Sequence, residues 1–382
     1  MQTNLCRATP PAPNSGCGGG GGLAWQGATD AQKVEATGGA DGIVVIRYQV
    51  PVAPCVGGDI IIKRHVRGTR YSYVHIFTNT AAAATFENQA GRSLALRYLV
   101  VGGGGAGSAG SSSGASGAGG GGGGVVEARG FQLDSDASLS VEVGAGAATV
   151  SSGNLGSVAG TSRIRTAETV VAEAPGGGNA GVYFGTGYQG ATSGANGGGA
   201  ARGASTGATG TFKSSIDGVE YGYFKGGDYI NRVGGSGAGA GSDGGKATGT
   251  PANGAAAAGG EGLVSDITGE SLVYGSGGGA GEAYLDDNST TFPGFQGSDG
   301  GTRAGNGTKH DFSIVDEGGV VTTNFNYIAA QAPAANSGGG GGGGGIAAKN
   351  ASYRKGTGGA DGIVVIRYEY DSVVRGFVIN IK

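Results

Sequence analysis

Seven runs of three or more consecutive glycines constrain the fold of this chain more than any other feature of its sequence. They fall at residues 18–22, 102–105, 119–124, 176–178, 197–199, 277–279 and 338–345. Glycine loses more backbone entropy on ordering than any other residue, so an ordered fold must recover that cost through dense backbone contacts. Disordered chains are poor in β-branched residues, whereas apolar runs at residues 43–46 and 99–101 directly adjoin glycine here. We therefore expect order, with flexible spacers as the alternative.

A polyglycine II helix is the regular conformation that suits these runs. It has three residues per turn, a rise of about 3.1 Å per residue and no internal hydrogen bonds, so its amides need partners on neighbouring chains. Without side chains, several such helices can lie side by side, and Cα–H···O contacts add to their amide bonds. Residues 338–345 would span roughly 25 Å. We expect this uninterrupted run at the middle of a bundle and the alanine-containing residues 234–245 outside it.

Segments with the composition of β-strands alternate with the glycine runs. They are rich in aromatic and β-branched residues and comprise residues 71–77, 94–101, 125–129 and 139–143. Residues 43–48 and 363–368 are nearly apolar on both faces, which is typical of interior strands. No segment of ten or more residues has a helical pattern. The sequence predicts an all-β fold with essentially no α-helix, an antiparallel β-sandwich with an inserted polyglycine II helix bundle.

One sequence of twelve residues, TGGADGIVVIRY, occurs twice without change, at residues 37–48 and 357–368. Residues 14–16 are likewise identical to 336–338, and residues 57–63 are similar to 376–382. An offset of 320 residues is domain-sized, far longer than a solenoid repeat of about 20–45 residues. We predict that residues 1–57 are the C-terminal part of a preceding repeat unit plus a linker, that residues 58–370 are one complete unit, and that residues 371–382 begin the next. Tandem units and separate subunits both fit, and both imply a polymer.

The order of these segments resembles a known family. The residues that carry the resemblance are 73–77, 96–105, 122–127, 141–146, 262–275 and 362–368. In this order they are similar to the glycine-rich domain of phage tail-fibre and bacterial surface proteins, over roughly residues 58–370. The ending, a glycine run followed by Asp-Gly-Ile-Val, also resembles the glycine-rich extracellular region of anaplastic lymphoma kinase. The resemblance implies a jelly-roll-like sandwich combined with polyglycine helices, and a structural or adhesive role without catalytic residues.

Composition and motifs argue against several functional classes. The net charge of −3 indicates no nucleic-acid partner, and no apolar run approaches the ~20 residues that membrane insertion by a helix requires. The histidines have no ligands at metal-site spacing, and His75 is interpreted as a strand residue. The many Gly-x-Gly-x-x-Gly matches follow from composition and lack a strand-to-helix context. We predict a protein that is not an enzyme and has no cofactor.

The three cysteines, Cys6, Cys17 and Cys55, all lie near the N-terminus. An odd number excludes complete internal pairing. A bridge between Cys6 and Cys17 is conceivable, but the second copy of this region contains no cysteine. We interpret the three residues as incidental thiols, with their pairing left open.

Aromatic residues in polar, glycine-rich sequence are the candidate ligand contacts. They are Tyr221, Tyr223, Phe224, Tyr229, Tyr284, Phe292 and Phe295. Exposed aromatics can stack on sugars or anchor a partner, whereas the structural alternative is that they cover the bundle or seal one unit against the next. Candidate glycosylation sites occur in the Asn-x-Ser/Thr sequences at Asn288, Asn306 and Asn350.

Two functions follow as hypotheses. The first is a structural subunit of a fibre on a cell or virion surface, built from units that join head to tail. The alternative is a tail-fibre adhesin that binds a cell-surface receptor or glycan through its aromatic loops. Both place the protein in the extracellular space or on a virion. The partners are then other copies of the unit and, for the adhesin, a glycan or receptor.

Overall fold

The structure is a computed structural model with two compact units, Met1–Val52 and Ala53–Lys382. It describes residues 10–13, 15–19, 36–42, 53–111, 115–149, 155, 157–184, 187–230, 232–248, 256–282, 299–317, 320–345 and 355–371, without the side chains of residues 310–327. Within the second unit, Cys55 and Val56 pair with Asn88 and Glu87 in a sheet. None of the described residues is helical, which confirms the all-β prediction.

Short strands make up the regular structure of the second unit. In chain order they are β1 (Cys55–Val56), β2 (Ile60–Arg67), β3 (Arg70–Phe77), β4 (Ala84–Asn88), β5 (Leu94–Val101), β6 (Val125–Leu133), β7 (Ser138–Glu142), β8 (Ser162–Arg165), β9 (Val170–Ala174), β10 (Val182–Tyr183), β11 (Tyr188–Gln189), β12 (Ser215–Ile216), β13 (Val219–Glu220), β14 (Leu263–Ser265), β15 (Leu272–Tyr274), β16 (Lys309–Glu317), β17 (Val320–Ile328) and β18 (Ile363–Asp371). The predicted strands at residues 71–77, 94–101, 125–129 and 363–368 are confirmed within these bounds.

Two sheets form the β-sandwich. The larger has the strand order β13-β12-β6-β5-β18-β3-β2, and the smaller has the order β1-β4-β7-β8-β9. Neighbouring strands are antiparallel except for β12 and β6, which are parallel. Although β18 ends the described chain, it lies between β3 and β5. The sheet is therefore continuous only when this last strand is in place.

The main hydrophobic core lies between the two sheets. Successive side chains of a strand point to opposite faces, and in β5 the inward set is Leu94, Leu96, Tyr98 and Val100. The other large, fully buried members of this core are Tyr73, Phe77, Phe86, Leu139, Ile164, Ile366 and Tyr368. Such aromatic and aliphatic burial contributes roughly 1.5–3 kcal/mol per side chain, which makes this core the main stabilising element of the sandwich.

A second core covers the outer face of the larger sheet. Leu99 and Val101 of β5 point outward into it, where they join Leu263, Ile267 and Tyr274 from the β14–β15 hairpin and its loop. The larger sheet is thus buried on both faces near β5 and β18. This explains why residues 363–368 are apolar at every position except Arg367.

A charged network extends the contact between the β14–β15 loop and the sheet. Arg97 of β5 donates to Glu127 of β6 at 2.7 Å and also forms an ion pair with Asp266 in the loop. The Glu127 side chain is fully buried, so its charge depends on this arginine. The hydrogen bond from Arg97 holds the pKa of Asp266 below its ordinary value. The network fixes the loop against the sheet.

The glycine segments leave the sandwich from one end. Neighbouring antiparallel strands end and begin at the same edge of a sheet. Thus β5 continues into Gly102, β6 begins after Gly124 and β18 begins after Gly362, while β7 is followed closely by Gly144 and β9 directly by Pro175. The strands therefore gather the glycine segments into a bundle at that end.

Hydrogen bonds between glycine segments recur every third residue. In one pair of antiparallel segments, the amides of Gly102, Gly105 and Ser108 donate to the carbonyls of Gly124, Gly121 and Ala118, at 3.0, 2.8 and 3.0 Å. A step of three residues is one turn of a polyproline II type helix. The predicted polyglycine II bundle is therefore present, and its helices bond laterally as expected.

Residues 117–124 form the centre of the bundle. Among the described residues, six segments exchange backbone hydrogen bonds with them, namely residues 102–108, 175–178, 199, 235–238, 278–281 and 338–344. A rod surrounded by six rods is hexagonally packed, and each face of its three-residue turn then meets a neighbour. Every residue from 117 to 124 is buried.

The two expectations about position within the bundle agree with the structure only in part. Residues 338–345 are buried, but five described segments bond to them rather than six: residues 105–108, 117–123, 276–279, 305–308 and 357–361. Of residues 234–245, residues 241–245 are half-buried or exposed, but residues 234–240 are all buried and so do not lie outside as expected. Their alanines are tolerated where the methyl group points away from a neighbouring backbone, as at Ala240, which packs in the second hydrophobic core.

Most glycines of the bundle are required for close approach of backbones rather than for an unusual φ. Positive φ occurs at Gly275 (71°) and Gly338 (63°), where the chain enters two of the segments. Elsewhere the constraint is space. A Cβ on Gly104 would overlap the carbonyl oxygen of Gly339, and a Cβ on Gly120 would overlap that of Gly105.

Buried asparagines supply side-chain partners for some backbone groups of the bundle. The Asn179 Oδ1 accepts a hydrogen bond from the Ala106 amide at 2.9 Å, and its Nδ2 donates to the Leu155 carbonyl at 2.8 Å. Asn196 donates through Nδ2 to the Gly122 carbonyl at 2.9 Å. Because buried amides and carbonyls need partners, these side chains complete the lateral bonding of the bundle.

We expect Gly120→Ala to destabilise the second unit by at least 1–3 kcal/mol, the typical cost of overpacking, because the methyl group forces two backbones apart. Gly190→Ala is the matched control, since Gly190 is exposed and a Cβ there meets nothing within 4 Å. Denaturant-induced unfolding measures both variants. Equal stability of the two would contradict the close-approach explanation.

Candidate functional site

The aromatic segment after β13 divides into buried and exposed positions. Tyr221 is half-buried and packs against the second core, and its amide donates to the Ser214 carbonyl at 2.8 Å. Phe224 is also half-buried, and its carbonyl accepts the amides of Gly197 and Gly210. Tyr221 therefore contributes to the second core, and the Phe224 carbonyl contributes to the lateral bonding of the bundle.

Tyr223 is the member of this segment that faces solvent. Its side chain is 55% exposed, and the Lys213 ammonium lies 5.7 Å from the ring centroid. Lys213 also forms an ion pair with Glu220 at 3.1 Å. An exposed aromatic face beside a cation and a carboxylate can stack on a sugar ring and hydrogen-bond its hydroxyl groups.

Tyr229 belongs to a different surface, which we call the tyrosine patch: Tyr183, Tyr188, Arg202 and Tyr229. Tyr183 of β10 lies directly opposite Tyr188 of β11, and the Arg202 guanidinium is 4.8 Å from the Tyr183 ring centroid. Burial raises the pKa of Tyr229, while the charge of Arg202 acts to lower it. Tyr188 is 54% exposed. The structure thus places Tyr229 among aromatic residues that the sequence interpretation did not select.

A sequence signal for the tyrosine patch was present. Residues 182–188 read Val-Tyr-Phe-Gly-Thr-Gly-Tyr, in which two tyrosines flank a short turn with glycine. This is a pattern of a short hairpin. Gly203, with a φ of 94°, lies against the Tyr188 ring, where a Cβ would collide with it. The contact with a residue distant in sequence could not be read from the pattern.

Several predicted site residues lie outside the described residues. These are Tyr284, Phe292, Phe295, Asn288 and Asn350. Asn306 is described and half-buried: its Nδ2 donates to Gln331 Oε1 at 2.9 Å, and its Oδ1 accepts the Gly300 amide at 3.0 Å. A glycan attached at this Nδ2 would replace one of its two hydrogens, and the hydrogen that remains could still bond to Gln331.

A long hairpin was also missed by the sequence interpretation. Strands β16 and β17 are each nine residues long and pair from Lys309–Ile328 at one end to Glu317–Val320 at the other. The residues between them, 318 and 319, are both glycine. A Gly-Gly pair between two β-rich runs is a recognised hairpin signal, but the glycine-rich surroundings obscured it.

The histidine interpreted as a strand residue lies in a buried polar cluster within the main core. His75 is fully buried, its Nδ1 is 2.6 Å from the Gly57 carbonyl, and its Nε2 is 3.2 Å from the Tyr368 hydroxyl. A neutral ring that donates from Nδ1 can accept at Nε2, which satisfies both nitrogens. Burial lowers the pKa of His75.

The Cys55 thiol lies in the same cluster. Its Sγ donates to Asn88 Oδ1 at 3.9 Å, and burial raises its pKa to about 11. A thiol with so high a pKa carries little thiolate at neutral pH and is a weak nucleophile. Cys17 is exposed, both Cys17 and Cys55 are free, and Cys6 lies outside the described residues.

A groove of about 360 Å³ lies near the junction of the sandwich and the bundle, lined by residues 80–83, 142–145 and 160–161. Its charged residue, Glu142, is held by Arg163 at 3.5 Å and Arg165 at 3.8 Å. In the part of the chain that the structure describes, no three potential metal ligands cluster. No helix there is long and apolar enough to cross a membrane.

Residues 79–369 match the sequence model of a family described as a glycine-rich domain. The match covers more than half of the chain and includes the strands from β4 to β17, β18 as far as residue 369, and the whole bundle. No curated protein matches the chain.

We expect the stability of the second unit to fall as the pH decreases through about 6.5, the ordinary pKa of histidine. Because the folded pKa of His75 is lowered, the unfolded chain binds this proton at a higher pH than the folded chain does. The stabilisation that neutral His75 provides is therefore fully present above the pKa of the unfolded chain, and it is lost as the pH falls towards the pKa of the folded chain. It amounts to about 1.4 kcal/mol for each unit by which these two pKa values differ. Denaturant unfolding at a series of pH values measures the slope.

The variant His75→Gln should lose the part of the pH dependence that comes from His75. The variant His65→Gln, at an exposed position of strand β2, should keep it. If His75→Gln does not fold, titration of the imidazole by NMR in the unmodified chain gives the same answer. An ordinary pKa for His75 would contradict the expectation.

Proposed function

We propose that this chain, which belongs to the glycine-rich domain family, is a structural subunit of a repeat-built fibre on a cell or virion surface. One observation carries the proposal. Residues 15–19 of the first unit are all exposed, whereas their counterparts 337–341 are buried in the bundle. A sequence that is buried in one copy and exposed in the other is suited to a neighbouring unit that covers it.

The mechanical character of the bundle supports a fibre role. Its segments bond laterally through backbone groups at every turn, so stretching it would require many hydrogen bonds to break together. Because bending is resisted by the same contacts, a unit of this kind suits a stiff spacer. The resemblance to tail-fibre and surface-fibre proteins points the same way.

We expect purified protein at high concentration to form filaments with one unit per axial step. Negative-stain electron microscopy with two-dimensional averaging measures the repeat along the axis. The length of one sandwich plus its bundle, taken from the structure, is the expected step. Protein that remains dispersed as single units at all concentrations would argue against the fibre.

The adhesin is the second candidate, and the exposed rings of Tyr223 and Tyr188 favour it. Lys213 lies near the Tyr223 ring, and Arg202 lies over the ring of Tyr183, the residue that pairs with Tyr188. Aromatic rings that present a face to solvent suit the apolar face of a sugar. The ligand would then be a cell-surface glycan.

We expect Tyr223→Ala and Tyr188→Ala each to reduce glycan binding at least tenfold if the adhesin role holds, since aromatic anchors dominate such contacts. A glycan array probed with the labelled chain measures binding. Val264→Ala, at another exposed apolar position, is the control. Unchanged binding in both tyrosine variants would remove these rings from the candidate site.

A further inference from the structure

The first unit reproduces the local geometry of the last two glycine segments. The Gly16 amide donates to the Asp41 carbonyl at 3.0 Å, and the Gly338 amide donates to the Asp361 carbonyl at 3.0 Å. The φ angles agree as well, at 64° for Gly16 and 63° for Gly338. The two copies therefore begin their glycine segment with the same turn and the same bond.

The next bond along the pair is also repeated. Ala40 donates to the Cys17 carbonyl at 3.0 Å, as Ala360 donates to the Gly339 carbonyl at 2.9 Å. Cys17 stands where the other copy has glycine, and it is exposed. The pairing of the two segments thus does not depend on the surrounding bundle, because it forms in the first unit as well.

Close packing is repeated one step further. A Cβ on Gly19 would overlap the carbonyl oxygen of Thr37, and a Cβ on Gly341 would overlap that of Thr357. Residues 15–19 and 36–42 are nevertheless exposed or half-buried. Among the described residues of the first unit, the segment pair is therefore formed correctly but stays exposed or half-buried.

In the second unit, the strand that follows the segment pair is buried on both of its faces. Val364, Val365 and Ile366 are 0% exposed, with Val364 and Ile366 in the main core and Val365 in the second core. Strand β18 bonds to β3 on one edge and β5 on the other. Residues 43–48 have the same sequence as 363–368, so they are suited to the same two-sided position.

We propose that residues 14–48 donate a segment pair and an interior strand to a second copy of this fold, between its β3 and β5 in place of its own β18. The inference rests on the proposed fibre function and names the contact that joins the units. Addition of an extended segment to a sheet of a partner is a known mode of recognition. Because residues 37–48 and 357–368 are identical, the exchange preserves every contact of that stretch.

The test uses the full chain and the same substitution at two equivalent positions, Val365→Lys and Val45→Lys. Lysine at position 365 places a charge in the second core and expels the chain's own β18. We expect this variant to remain folded by accepting residues 14–48 of another molecule, and therefore to have at least twice the monomer mass by light scattering. The double variant should be unfolded. Val45→Lys alone should unfold at the same temperature as the unmodified chain.

Two results would overturn the proposal. One is a Val365→Lys variant as unfolded as the double variant, since residues 14–48 then cannot replace β18. The other is a folded monomer of Val365→Lys, since the segment then occupies its own sheet. Filaments of the unmodified chain alongside either result would leave the fibre function standing and remove only strand donation. Strand exchange that yields closed dimers without filaments would support strand donation and argue against the fibre function.

Discussion

Lateral hydrogen bonding between backbones without side chains is the interaction on which this structure depends. Each helix of the bundle has its amides and carbonyls directed outward, so none is stable alone. Their partners are other helices of the same kind, at distances that exclude a Cβ. The entropy lost by ordering so many glycines is offset only when the whole set assembles, which makes the bundle a cooperative element rather than a series of independent segments.

The sandwich supplies the alignment that the glycine segments cannot supply themselves. A polyglycine helix has no side chains to specify its register, whereas strands fix theirs through the alternation of buried and exposed residues. Since β5 and β6 are paired residue by residue up to Val101 and Val125, the segments that follow Val101 and precede Val125 start in register. The hydrophobic core therefore determines which amide meets which carbonyl in the bundle.

Sequence reasoning reached the fold class and most long strands because both leave local signals. Period-two alternation identified β7, and the two-faced apolar pattern identified β18 as interior. The position of each segment within the bundle was not accessible in this way, since glycine-rich sequences look alike whether they have five or six neighbours. The same holds for the surface: Tyr221 and Tyr223 are two residues apart in one aromatic segment, yet the fold buries much of one and exposes the other. Which of the two tyrosines is buried depends on the path of the chain in the folded structure.

The three-residue step of the bundle also limits how such a chain can change in length. Adding one residue to a segment would turn each later amide by a third of a turn, away from its carbonyl, and the mismatch would continue to the far end. Adding three would lengthen the segment by roughly 9 Å and restore every direction. Length variants of these segments should therefore differ by multiples of three residues, because the helix has three residues per turn.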